Sequence, residues 1–435
     1  MLGSLFGAGA TLARWGVVLL ILVTSAVGFL FLTRGTAVRR VRGVGPDGAP
    51  VAPAEPEFPE TVAMLTGSEL LPGTRVELAL DGDGIFEPLW ADLAAAERIV
   101  TIQMYYMGPG RVADRLAGIL VERARAGVGV FFLFDAFGAS AMPRHYWRAL
   151  RAGGVRAVAF RPLRPRNLWV VQNRAHTRGI VVDGRVGWTG GFGFDDKWLG
   201  DGRRPGQWRE TAVRIEGPAV HQLQAAMIAS WSEATGELFS GRVTQTGPRP
   251  HAVAAAAVLA TSPTLGSTPA ERLLALSIAG ARRTLYVTNA YFAPDKNFAA
   301  MLARAAERGV DVRVLVGGSS TDVRVARSAG RARYEALLAA GVRIYEYQPS
   351  TLHAKTFVVD GCWAAVGTMN FDNRSLALND EVTLVARDPA FGARLDAIFR
   401  DDLGRSQEID LDTFRRRPRY ERVLEWGANL VTPLL

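Results

Sequence analysis

Residues 351–373 read TLHAKTFVVDGCWAAVGTMNFDN, and residues 176–193 read HTRGIVVDGRVGWTGGFG. Each carries a histidine at or near its start (His353, His176), runs through apolar residues suited to a strand, and reaches an aspartate (Asp360, Asp183) ahead of a glycine-bearing turn. The chain has only five histidines and three lysines (Lys197, Lys296, Lys355). Two of those histidines therefore fall at equivalent points of two similar stretches.

The similarity extends outward in both directions. DLAAAER (92–98) running into IVTIQMYYM (99–107) is answered by ALSIAGARR (275–283) running into TLYVTNAYF (284–292). RVADRLAGILVERARAGVGVFFLF (111–134) is answered by KNFAAMLARAAERGVDVRVLV (296–316), each a helix pattern closed by glycine and followed by a buried strand. LRAGGVRAVAFRPL (150–163) matches LLAAGVRIYEYQPS (337–350), and ETAVRIEGPA (210–219) matches EVTLVARDPA (381–390). Order and spacing agree across the two copies, and strands alternate with helices. The expected fold is α/β: two similar lobes related by a pseudo-twofold axis, each a mixed β-sheet flanked by helices, preceded by an N-terminal transmembrane helix. Equivalent residues then meet at the seam, so His176 and His353 converge.

Two facing imidazoles suit a double displacement at phosphorus. One attacks to give a phosphohistidine; the other protonates the leaving oxygen and later deprotonates the incoming alcohol or water. Lys355 and Asn370 are candidates to hold the phosphoryl oxygens. Lys355 lies two places after His353, on the same strand face. Glu210 and Glu381, matched across the repeat, are candidates to fix the histidine tautomers. No cluster has metal-ligand spacing, so no metal and no cofactor is expected.

The pattern His-x-Lys-x4-Asp-x6-Gly-(Ser/Thr)-x-Asn, carried by His353, Lys355, Asp360, Gly367, Thr368 and Asn370, resembles the phospholipase D superfamily signature. GTMNFDNRSLALNDEV (367–382), DGDGIFEPLWADLAAAERI (81–99), WRETAVRIEGPAV (208–220) and the closing NLVTPLL are similar to the bacterial cardiolipin synthase branch. The resemblance covers most of residues 60–435. It implies two phospholipase D-like lobes, with the histidines as nucleophile and acid/base. Lys355, Asn370 and Thr368 would hold the phosphate, and Asp183 and Asp360 would have supporting structural roles. The first copy departs twice: Arg178 replaces the motif lysine, and Gly193 stands where asparagine is expected. Arginine keeps the charge with a different geometry, so Arg178 remains a phosphate-binding candidate. Thr189 or backbone amides of the glycine-rich run are the candidates to make up for the lost amide.

The rest of the sequence bears on location. The net charge of +9 comes almost wholly from arginine and suits a phosphate-bearing partner, unless it is only a compositional habit. The single cysteine, Cys362, excludes an intramolecular disulfide and is expected in the core. Residues 15–33 hold no charge and would span about 28 Å as a helix, which fits a retained single-pass anchor better than a signal peptide. Arg34, Arg39, Arg40 and Arg42 follow it, which places the remainder in the cytoplasm.

The expected organisation is an anchor with a basic flank (1–42), a Pro-rich tether (43–60), a first lobe (61–250), a second lobe (251–410) and a basic, apolar tail (411–435). The tail is either laid on anionic lipid or simply solvated. The aromatic-basic stretch 161–174 is read as a head-group contact or a cap. His145, His221 and His251 have no repeat partner and are read as surface or core residues. Tyr105–Tyr106 and Tyr291–Phe292 are expected to pack under helices, with the site entrance as the alternative. The expected function is a membrane-tethered phosphatidyltransferase acting on an anionic, phosphatidylglycerol-like lipid. Phosphodiester hydrolysis and non-catalytic lipid binding are the alternatives. Nucleic acid is not the expected partner, and one two-lobed chain suffices without an oligomer.

Overall fold

The computed structural model describes residues 15, 17–19, 21–23, 25, 36–45, 48–162, 173–240, 254–264, 266–430 and 432. Most of the expected anchor, most of the 161–174 stretch, His251 and much of the closing NLVTPLL lie outside these residues. Among the described residues no helix is long and apolar enough to cross a membrane.

The first lobe contributes strands β1 (Leu71–Leu80), β2 (Ile99–Met104), β3 (Gly129–Asp135), β4 (Arg156–Phe160), β5 (Gly179–Val182), β6 (Val186–Gly190), β7 (Trp208–Arg209) and β8 (Thr211–Glu216). The second contributes β9 (Ala254–Thr261), β10 (Thr284–Asn289), β11 (Asp311–Gly317), β12 (Arg343–Tyr347), β13 (Thr351–Leu352), β14 (Lys355–Val359), β15 (Trp363–Gly367), β16 (Glu381–Arg387) and β17 (Ser406–Glu408). From the centre outward the first lobe runs β1-β8-β6-β5-β2-β3-β4, and the second runs β9-β16-β15-β14-β10-β11-β12-β17. The two orders are the same, strand for strand, up to the added edge strand β17.

The lobes do not form separate sheets, as the sequence had suggested. The equivalent strands β1 and β9 pair antiparallel, with a bulge between Leu71 and Thr74, and fuse everything into one 15-stranded sheet. Within each lobe the outer crossover strands are parallel (β2–β3–β4 and β10–β11–β12) and the remainder antiparallel. Helices must then cover both faces, which is why these strands are apolar on both sides. On β2, Val100, Ile102 and Met104 enter the first lobe's core, while Thr101 turns to the other face and donates to Gln224 Oε1 at 3.0 Å. That other face is covered by helices Ala219–Thr235 and Pro389–Leu403, whose core includes strands of both lobes. The expected helix stops hold: Gly127 (φ 91) and Gly309 (φ 89) end equivalent helices in the left-handed region, where a side chain would be strained.

The N-terminal segment departs from a free tether. Asn297 Nδ2 donates to Thr36 O at 3.0 Å, Ala37 N to Glu271 Oε2 at 2.8 Å, and Arg387 Nε to Pro53 O at 2.8 Å. Residues 58–60 begin the helix Phe58–Thr66, and Phe58 is fully buried against Trp363 in the core of the second lobe. A run of prolines thus lies along a neighbouring surface that satisfies its carbonyls. The tail departs from a solvated one. Helix Arg419–Leu430 is held to helix Arg324–Ala339 by Arg331–Glu425 (2.9 Å), while Tyr420, Val423, Leu424, Trp426 and Leu430 remain exposed. Cys362 is half-buried in the β14–β15 turn rather than in a strand core.

Candidate active site

β5 and β14 run antiparallel to β2 and β10, so their leading ends meet the trailing ends of the parallel strands. His176 and His353 stand just before these leading ends. The turn at the far end of each hairpin is built by the motif aspartate in the left-handed region (Asp183 φ 52, Asp360 φ 51). Asp183 accepts from the backbone amides of Glu97, Arg98 and Ile99 at 2.8–2.9 Å. Asp360 does the same for Arg282, Arg283 and Thr284 at 2.7–3.0 Å. Each aspartate therefore ties its hairpin to the start of β2 or β10 and lies away from the histidines' end.

At that end the lobes exchange strands. β13 pairs in parallel with β7, and His353 N donates to Arg209 O at 2.8 Å. Symmetrically, Ala175 bridges Asp380, whose amide donates to Arg174 O at 3.0 Å. The residue after each bridge is a glutamate, and it serves the opposite lobe's histidine. His176 Nδ1 lies 2.9 Å from both oxygens of Glu381, and His353 Nδ1 lies 2.8 Å from Glu210 Oε2. A carboxylate there requires Nδ1 to carry the proton, which leaves the Nε2 lone pair available. The strand carrying Glu210 is pinned in turn by Arg209, paired with Asp402 of the second lobe at 2.8 Å and with Asp81 at 3.4 Å.

Both imidazoles line one cavity of about 820 Å³, together with Arg178, Asn370, Tyr105 and Tyr291. Tyr105 meets the His176 ring edge-on at 4.9 Å, and Trp208 lies 4.7 Å from the His353 ring. Tyr105, Tyr106 and Tyr291 thus line the cavity, Tyr106 also packing against the first lobe's core, while Phe292 is buried in the core of the second lobe. His145 is exposed and His221 half-buried, both away from this cavity.

Burial dominates the electrostatics. Desolvation pushes the Glu210 and Glu381 carboxyls up to about 7, and the Lys355 ammonium down to about 7. Desolvation first, and then the charges of Arg178 and Lys355, hold both imidazoles well below their usual 6.5. Arg178 is 2% exposed, and its Nε and Nη1 have no hydrogen-bond partner among the described residues. Buried donors of that kind fit an anionic oxygen.

Two expected phosphate ligands already have partners within the protein. Thr368 Oγ1 is bonded to Glu381 Oε2, and it is fully buried, so it positions the carboxylate behind His176. Lys355 Nζ donates to the His353 carbonyl from beneath the cavity floor. Thr189 does not make up for the missing amide, because its hydroxyl donates to Arg178 O at 2.8 Å.

The departure at Gly193 has a packing cause. A Cβ there would lie 2.8 Å from Tyr106 O and 3.0 Å from the Trp198 ring. Trp198 fills the space that an asparagine would need, and its Nε1 reaches Glu210 Oε2 at 3.4 Å. At Gly191, opposite Thr368, a Cβ would lie 2.6 Å from the same carboxylate. Indole and glycine in the first lobe thus replace hydroxyl and amide in the second. Trp198 and the Arg209–Asp402 pair were not read as site residues, since tryptophan and arginine carry no spacing signature.

A family profile described as "Cardiolipin synthase, PLD-like domain" matches residues 89–231 and 274–403, one span in each lobe. The chain belongs to the cardiolipin synthase family. Cardiolipin synthase A of Pseudomonas entomophila is 34% identical over 366 residues, covering 84% of this chain and 76% of that protein. Cardiolipin synthase of Geobacillus sp. (strain WCH70) is 33% identical over 368 residues, covering 83% and 72%. Among solved structures, phosphatidylserine synthase of Haemophilus influenzae Rd KW20 aligns with a TM-score of 0.64 at 13% identity, covering 87% of this chain and 99% of that one. Polyphosphate kinase of Porphyromonas gingivalis aligns at 0.53 and 13%, covering 82% and 53%. These structural likenesses concern the fold. It is the cardiolipin synthase family that pairs with a two-histidine cavity here.

Proposed function

We propose that the protein is a phosphatidyltransferase of the cardiolipin synthase type, moving a phosphatidyl group from one phosphatidylglycerol-like lipid to the hydroxyl of another through a phosphohistidine. The observation that carries this reading is the crossed pair of histidine–glutamate couples opening on one cavity beside Arg178 donors that have no partner among the described residues. Nε2 of one imidazole attacks phosphorus; the P–N bond forms, the P–O bond to glycerol breaks, and the second imidazole delivers its proton to the leaving oxygen. That imidazole then takes the proton of the incoming alcohol, whose oxygen displaces the histidine from phosphorus. The acid must be protonated, whereas burial and the neighbouring cations keep both rings neutral. An arriving phosphodiester anion offsets those cations, so substrate binding draws in the proton that the reaction needs. Arg178 and Asn370 face the phosphoryl oxygens, and Lys355 adds its charge from below.

Attachment to the membrane is part of the proposal. The uncharged 15–33 segment is read as a single-pass anchor, and the arginines after it favour a cytoplasmic catalytic part. The exposed apolar face of helix Arg419–Leu430, with Trp426, suits the lipid interface.

The test uses the full chain in detergent with labelled phosphatidylglycerol and no added metal, alongside His353→Ala. Cardiolipin and glycerol formed only by the parent protein support transfer. Phosphatidic acid in their place moves the protein to the hydrolases, and no product from either protein refutes the catalytic reading.

A further inference from the structure

The segment from Asn370 to Asn379 forms one wall of the cavity, and much of it has no part in the chemistry above. It includes the π-helical turn Arg374–Leu378, a widened turn of a kind that recurs at functional sites. Asp372, Ser375 and Asn379 line the cavity, and each is at most 6% exposed. Asn379 presents its amide nitrogen toward Glu381 Oε1 at 3.5 Å, and its Oδ1 has no partner among the described residues. Asp372 Oδ1 accepts the Ser375 amide at 2.8 Å, an arrangement that fixes the carboxyl against the wall. The Ser375 hydroxyl lies beside Glu381.

These groups differ in kind from Arg178. Arginine offers donors to an anion; a carboxyl oxygen and an amide oxygen offer acceptors, which a phosphate oxygen cannot use but an alcohol can, and a hydroxyl serves as either donor or acceptor. An uncompensated buried acceptor is costly, and the ligand that satisfies it must bring O–H groups.

We propose that Asp372, Ser375 and Asn379 form a polyol subsite that holds the free hydroxyl of a glycerol head group, so that the acceptor is selected as a polyol and not as any primary alcohol. This rests on the phosphatidyl-transfer reading above. The wall adjoins Glu381, the partner of His176, so a vicinal diol bound there keeps one hydroxyl on the wall while the other faces phosphorus.

The experiment is a competition. The full chain in detergent receives phosphatidylglycerol as donor with equimolar deuterated glycerol and 1-propanol, and the two exchange products are resolved by mass. Both products come from the same phosphohistidine, so their ratio reads acceptor choice and is insensitive to slowed or partly lost enzyme. The parent should favour glycerol by at least about 10-fold, the discrimination expected of a site built to bond a hydroxyl. Asp372→Leu and Asn379→Leu should bring the ratio toward unity, and Asp372→Asn, which keeps the shape, should lower it less. If the leucine variants yield too little product to score, the asparagine variant and Ser375→Ala decide. A parent ratio near unity, or a ratio unchanged in the variants, overturns the subsite while leaving transfer intact. A parent that forms neither exchange product but still forms cardiolipin also overturns the subsite, whereas one that forms no exchange product and no cardiolipin overturns the transfer reading itself.

Discussion

Restoring the motif asparagine in the first lobe, Gly193→Asn, should harm the protein. A Cβ at residue 193 would stand 2.8 Å from the Tyr106 carbonyl and 3.0 Å from two Trp198 ring carbons, before the amide is added. Trp198 has nowhere to go: it is fully buried, 4.6 Å from Trp208 and 5.6 Å from Tyr106 between ring centroids. Overpacking of this kind costs about 1–3 kcal/mol. For a lobe of this size a cost of about 2 kcal/mol lowers the melting midpoint by about 4–8 °C. Displacing Trp198 also disturbs Glu210 and the His353 ring, 5.6 Å from the indole. The rate of transfer should therefore fall by at least about 10-fold. Differential scanning fluorimetry and the labelled-lipid assay read the two effects. Adding Trp198→Ala should make the pair of substitutions less damaging than the sum of the two single ones, because the clash is shared. A Gly193→Asn protein that melts within about 1 °C of its parent and works faster would refute the packing account.

Three further outcomes are expected. Glu381→Gln and Glu210→Gln each remove a tautomer-fixing carboxylate, and kcat should drop by about 10²–10⁴-fold in either case; rates within twofold of the parent would show that the carboxylates are incidental. Burial raises the Glu381 carboxyl from 4.5 to about 7, so between those values the folded chain holds a proton that the unfolded chain has lost. Its contribution to stability is present below about pH 4.5 and is lost as pH rises through about 7. Glu381→Gln should therefore lose less melting temperature than the parent between pH 5 and pH 8, and equal losses would contradict the raised value. Phe58→Ala empties a fully buried site against Trp363 and should cost about 3–5 kcal/mol by urea titration, whereas a dispensable tether would cost nothing.

Much of this architecture was legible in the sequence, because duplication makes each copy a check on the other. The strand runs after residues 98 and 283, the glycine helix stops and the paired histidines all fell into place from matched spacing. What spacing could not carry was partnership across the seam. Glu210 and Glu381 were identified as carboxylates for the histidines, but their exchange between lobes depends on β7 pairing with β13, two residues against two, which leaves no periodic trace. The sheet was likewise read as two, since nothing in β1 or β9 announces that each is the other's neighbour. Prolines in 43–60 argued for an extended segment, and it is extended in part; the surface it lies on comes from residues more than two hundred positions away. Thr368 was placed by its motif, and only the position of Glu381 shows which group its hydroxyl serves.

The crossed couples make each lobe half of two unfinished devices. A first lobe on its own would own His176 without its carboxylate and Glu210 without its imidazole, and the second would be left with the converse. Damage to one lobe is therefore felt by the other's histidine, and neither copy is free to decay while its twin carries on. Two copies of one such lobe, set edge to edge about a true twofold through the β1 strand, would complete each other in the same way. Fusion of the copies relaxes the demand that they be identical. It is in that freedom that Arg178, Gly193 and Trp198 could come to differ from Lys355, Asn370 and their surroundings without breaking either couple.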